Sequence, residues 1–187
     1  MRQLRRQVAA IQRTLHAIYD LDPELAADQY VMTPEAARRL LPDPSPRSGV
    51  IAVEADDELH LGLYLDPRDR QDLGSIVEET SHLVCLAWHA AHGRRVSRLV
   101  LELQGEVDRY AVARLSGRDA LGHFRDFAWD GWMDAAARTR YETAHRVAGR
   151  YCRSLSCRFP GRAQVPRVIA SLRRFYRAAP EEKLRAA

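Results

Sequence analysis

Apolar residues in this chain recur with two periods, and the place where the period changes constrains the fold more than any other feature. Over residues 1–20, Leu4, Val8, Ile11, Leu15 and Ile18 stand three or four apart, the stripe of an amphipathic helix. Thr33-Pro34-Glu35 reads as a helix start, with a capping hydroxyl, a proline for the first turn and an acid for the positive end. That helix should stop near Pro42, where Pro42-Asp43-Pro44-Ser45-Pro46 reads as a loop. The period then becomes two. Val50–Val53 and Leu59–Leu65 flank Ala55-Asp56-Asp57-Glu58, which predicts a β-hairpin with Leu59, Leu61, Leu63 and Leu65 on one face.

After Asp66-Pro67 the helical period returns. Helices are expected at about 75–91, with Gly74 as a possible break before it, and at 96–115, the two forming a hairpin about Gly93. Residues 118–132 are aromatic and irregular, with Trp129 and Trp132 read as a small core under a loop or the wall of a pocket. Further helices are expected at 133–155 and 165–178, the last stopping at Pro180. The expectation is a single mostly helical α+β domain: N-terminal helices in 1–48, a central core in 50–115 and basic C-terminal helices in 133–187.

Composition narrows the function classes. The chain has 187 residues, 46% of them apolar, enough for a sizeable core. No apolar run approaches the ~18 residues of a membrane span, and the N-terminus lacks the apolar core of a secretion signal. Cys85, Cys152 and Cys157 are an odd set without Cys-x-x-Cys, which argues against a disulfide framework or a zinc ribbon. A reducing cytoplasm is the simplest expected setting. The net charge is +4, yet residues 138–187 hold 13 basic residues against Glu142, Glu181 and Glu182. Such a segment can pack on the more acidic remainder. It can also form a basic face, with Arg150, Arg153, Arg173, Arg174 and Arg177, for an acidic partner or nucleic acid.

Chemistry concentrates in 75–115. Glu78 and His82 are four apart, so on a helix they reach one point, and Glu79 lies beside them. A carboxylate and an imidazole one turn apart are common metal ligands, and a nearby free carboxylate can take a proton from bound water. The apolar stripe of this helix puts His82 roughly opposite its centre, toward solvent or a second layer of protein. Glu102 and Glu106 are four apart on the next helix, at a height similar to Glu79 and His82. They either converge on a cation or pair with arginines such as Arg98 and Arg109.

A β-hairpin followed by Val77-Glu78-Glu79-Thr80-Ser81-His82-Leu83-Val84, and then by Glu106-Val107-Asp108-Arg109-Tyr110-Ala111-Val112-Ala113, resembles the small gluzincin metallopeptidases, the group that includes phage-repressor-cleaving and radiation-response regulators. The resemblance covers about residues 50–115. It implies Glu79 as general base, His82 as one ligand and Glu106, or less readily Glu102, as another, with zinc, manganese or iron as the metal and a peptide or protein as substrate. The hairpin edge at 59–65 would then bind an extended substrate by strand addition. Glu78 stands where that family has its first histidine. The site is therefore either a harder Glu/His/Glu set or the remnant of one in a binding module, with His89 or His60 as possible replacements.

Two further readings compete. Glu79/His82 and Glu142/His145 form two Glu-x-x-His pairs, and with Glu106 they supply most of a di-iron carboxylate bundle. A non-catalytic module acting through its basic third would instead bury Glu79 and His82 in salt bridges.

Overall fold

The structure, a computed structural model, describes residues 1–22, 25–40, 47–55, 58–125 and 134–186. Helix α1 is Arg2–Tyr19, α2 is Pro34–Leu40, strands β1 and β2 are Gly49–Ala55 and Glu58–Tyr64, α3 is Leu73–Ala91, α4 is Arg98–Leu115, α5 is Ala135–Arg158, α6 is Val165–Arg177 and α7 is Pro180–Arg185. This is the expected mostly helical α+β architecture.

Helices α3 and α4 are the centre. Both are buried around most of their circumference, α3 packing on α1, α4 and both strands, and α4 on α3, α5, α6 and α1. Local chemistry sets their ends. Asp72 caps α3 by accepting from the Gly74 and Ser75 amides, so Gly74 lies within the first turn and does not break the helix. Gly93 closes the turn with φ 62°, and Ser97 caps α4. The apolar stripe of α1 is buried against this pair through Val8, Leu15 and Ile18. The hairpin pairs Val50 with Leu63 and Ala52 with Leu61, and Leu63 and Leu65 are fully buried. The outer side of β2 is occupied at Leu63, whose carbonyl accepts from the Met32 amide, so strand addition along the whole 59–65 edge meets the chain's own segment there.

Two C-terminal expectations are corrected. Helix α5 continues to Arg158, because Val147, Ala148, Tyr151, Cys152 and Leu155 keep one face in the core. Pro180 does not end the helical structure; it opens α7, with Glu182 accepting from the Ala179 amide. Cys85 and Cys152 are buried free thiols and Cys157 is an exposed one. Trp129 and Trp132 lie outside the described residues. None of the described helices is long and apolar enough to cross a membrane.

Helix α7 carries Lys183, the only lysine in the chain, into the interior. Its ammonium donates to Gln104 Oε1 at 3.1 Å and lies 5.4 Å from the ring centres of both Phe175 and Tyr176. Gln104 donates at 2.9 Å to Asp108, which also accepts from the hydroxyls of Tyr19 and Ser81. This buried network ties α1, α3, α4 and α7 together. Burial pushes Asp108 up to about 6 despite its three donors and the Lys183 charge.

The folded chain therefore holds a proton on Asp108 at a pH where the unfolded chain, with an ordinary value near ~3.9, has released it. The stability that Asp108 contributes is full below pH ~4 and is lost as pH rises through 6, a swing of about 3 kcal/mol. Denaturant titrations at pH 4 and pH 7 should show the wild-type chain losing stability relative to Asp108→Asn by about that amount.

Candidate metal centre

The polar face of α3 meets a second layer of protein, not solvent. His82 is buried against α4 and receives partners on both ring nitrogens. Its Nδ1 lies 3.3 Å from Glu79 Oε2, and its Nε2 lies 3.5 Å from Glu102 Oε2. The second contact is too long and poorly aligned for a hydrogen bond, so His82 Nε2 and Glu102 Oε2 are both buried without a hydrogen-bond partner. Glu78 reaches the same place from one turn back on α3. Glu78, His82 and Glu102 each offer a ligand atom, all within 4.8 Å of one another.

Guanidinium groups hold the outer side of this cluster. Arg109 Nη1 donates to Glu78 at 2.6 Å, and Arg140 of α5 stands 3.7 Å from Glu102 Oε1, with Tyr141 beside it. Formally, three carboxylates face two guanidinium groups, leaving one negative charge to be met by a protonated His82 or by a cation. Burial alone would push His82 down, but the Glu79 hydrogen bond and the charges of Glu79, Glu102 and Glu78 outweigh it and raise the imidazole to about 10. Burial likewise raises Glu102 to about 7 and holds Glu78 above the usual carboxylate range despite Arg109. A divalent ion would relieve the same strain by displacing the proton.

Gly105 makes room for this arrangement. A Cβ there would lie 3.0 Å from His82 Nε2 and 3.2 Å from Glu78 Cγ. Any side chain at 105 would crowd the ligand atoms while suiting the helix better than glycine.

The expected site residues divide. Glu78, His82 and Glu102 come together. Glu106 does not join them. Both its oxygens are taken one turn further along α4, Oε2 by His123 Nε2 at 2.7 Å and Oε1 by His145 Nδ1 at 3.1 Å. The order of preference between Glu102 and Glu106 is thus reversed. Glu79 faces His82 Nδ1, the place of a positioning residue. Glu142 is exposed and paired with Arg138 at 2.8 Å, so the second Glu-x-x-His pair contributes only its histidine. Glu102 and Glu106 do not use Arg98 or Arg109; Arg109 serves Glu78.

His89 and His60 are elsewhere. His89 is buried near Lys183, and burial with the neighbouring Lys183, Arg94 and His92 charges lowers it to about 4. His60 is exposed on β2. Sequence reasoning missed His123, Arg140 and Tyr141 as partners. The only signal for the last two was their register, four and five residues before His145 on the same helix.

Part of the basic face has a structural use. Arg173 donates to the Ile18 and Ala17 carbonyls and Arg177 to that of Asp20, so both satisfy the open end of α1. Arg150, Arg153 and Arg174 remain exposed.

No family model, no curated protein and no solved structure matches the chain. The two groups along α4 could hold a metal ion, and nothing in these comparisons identifies one.

Gly105→Ala should leave the melting temperature within a few degrees of wild type, because the helix gains roughly 1 kcal/mol that offsets the crowding. It should visibly shift the His82 imidazole resonances in an NMR spectrum of the histidine side chains.

Proposed function

We propose that this chain is a metal-binding protein whose centre is held by Glu78, His82 and Glu102. The observation that carries this reading is the pair of buried atoms His82 Nε2 and Glu102 Oε2, which face each other across 3.5 Å without a hydrogen bond to either, with Glu78 in reach. Buried polar atoms are rarely left unpaired, and two aimed at one point suit a shared ligand. The donor set of one nitrogen and two carboxylates is hard to borderline, which favours manganese, iron or zinc over copper.

A divalent ion bound there would polarise a carbonyl or acidify a water. The rest is the work of the chain itself. With an ion in place of the Nε2 proton, Glu79 would accept from Nδ1–H of His82 and so hold the Nε2 lone pair toward the Glu78 and Glu102 carboxylates. Arg109 and Arg140 hold the two outer carboxylates. Hydrolysis of a peptide, which the gluzincin resemblance implies, is the finer form of this proposal. It would require Glu79 to leave His82 and the closed side of the cluster to open, since the side chains of Glu79, His82 and Glu102 are each no more than 10% exposed.

That burial favours a second reading, a binding module acting through the exposed Arg150, Arg153 and Arg174 toward an acidic partner or nucleic acid. In that case the buried cluster is only a folding element.

Metal analysis by mass spectrometry, on protein purified without a histidine tag, tests the first reading. Metal should be present in the wild type. The share held here should be lost in His82→Ala and Glu102→Ala and retained in Glu79→Gln with affinity weaker by about 10- to 100-fold. Absence of metal from the wild type after incubation with zinc, manganese and ferrous iron would turn the question to the exposed arginines.

A further inference from the structure

One turn further along α4, we propose that Glu106, His123 and His145 bind a divalent transition-metal ion of their own. Three elements converge to make this group. Glu106 comes from the middle of α4, His145 from the inner face of α5, and His123 from the short 3-10 turn Gly122–Phe124 between them. Their side chains are 5%, 16% and 20% exposed, so the carboxylate is sealed and the two rings lie at the edge of the interior.

The geometry suits an ion. Two ring nitrogens lie 2.7 and 3.1 Å from the two oxygens of one carboxylate, and all three ligand atoms fall within 4.8 Å of one another. With metal–ligand bonds of ~2.1 Å, neighbouring donors in a coordination shell stand roughly 3.0–3.4 Å apart, so His145 is already at that spacing and His123 would move outward by a few tenths of an ångström. The rings are set nearly perpendicular, 80° apart with centres 5.2 Å distant, which lets both nitrogens approach one point without the rings colliding. Phe124 packs 5.2 Å from the His145 ring and limits its rotation.

The donor set is chemically distinct from the first. Two imidazoles and one carboxylate are borderline ligands that suit zinc, ferrous iron or cobalt and leave coordination positions open. Both oxygens of Glu106 already face the two rings, and an ion would take the place of the protons that now lie between them. His123 also lines a cavity of 170 Å³ with Gly74, Val77, Arg109, Arg118 and Ala120. Glu102 and Glu106 are one turn apart on α4, so ions at both sites would be close neighbours. Only that pairing rests on the reading proposed above; the second site stands on its own residues.

Cobalt(II) titration of EDTA-treated full-length protein tests this. The readouts are visible absorption and bound equivalents after desalting, for wild type, His123→Ala, His145→Ala and His82→Ala. Two equivalents in the wild type, falling to one in each variant, are expected. One equivalent that survives His82→Ala and disappears in His123→Ala would support this site and overturn the first. Binding in His123→Ala equal to wild type would overturn this site whatever the first does, and no binding at all would overturn both. Because His123→Ala also removes a donor from buried Glu106, His123→Gln, whose amide can still donate to the carboxylate but is a poor ligand, should lose the cobalt while staying nearer the wild-type melting curve. X-ray absorption of cobalt-loaded His82→Ala should show two imidazole scatterers. One or none would count against the assignment.

Discussion

Placing carboxylates inside a helical core organises much of this molecule. An ionised carboxylate away from water is costly unless a cation or donors stand beside it, and α3 and α4 bury or half-bury Glu78, Glu79, Glu102, Glu106 and Asp108 within a few turns. Each demands a partner, and the partners come from elements distant in sequence. Arg140 and His145 arrive on α5, His123 on the turn before it, Tyr19 on α1 and, through Gln104, Lys183 on α7. The outer helices are therefore held to the central pair by matched charges and hydrogen bonds as well as by apolar contact. Breaking one partner strands a buried charge, so the arrangement is cooperative.

The same demand separates three polar groups along one helix. Asp108 is satisfied by hydroxyls and an amide and has no vacant direction. Glu106 is satisfied by two imidazoles that could as readily bind an ion. Glu102 is not fully satisfied, and it faces an imidazole nitrogen that is not satisfied either. Moving along α4, the surroundings change from a structural polar lock to sites with capacity for a ligand. Gly105 faces the first of these centres, and its missing side chain leaves room for His82 and Glu78.

Much of the fold was legible from local pattern. The stripe of α1, the alternation in β2, the caps Asp72 and Ser97 and the turn glycine Gly93 depend on neighbours within a few residues, and periodicity reads such neighbours directly. Pro180 misled because a proline fits the first turn of a helix as well as it ends one, and the choice was made by Lys183 finding Gln104. The convergence of Glu78, His82 and Glu102 was half legible. Helical spacing joined the first two and the hairpin offset brought the third to their height. Spacing could not rank Glu102 against Glu106, because the two lie only about 40° apart around the helix axis, and packing alone gave His82 and Arg140 to the first and His123 and His145 to the second.

What the sequence determined by itself was the list of elements, their ends and the unusual load of acids on two otherwise apolar helices. Only the tertiary structure decided which acid meets which base. It gave Glu106 to His123 and His145, left Glu102 with His82, turned Glu142 out to Arg138 and spent Arg173 and Arg177 on the end of α1. The reason is physical: local structure follows from interactions along the chain, whereas the partner of a buried charge is set by helix rotation and packing against residues dozens of positions away.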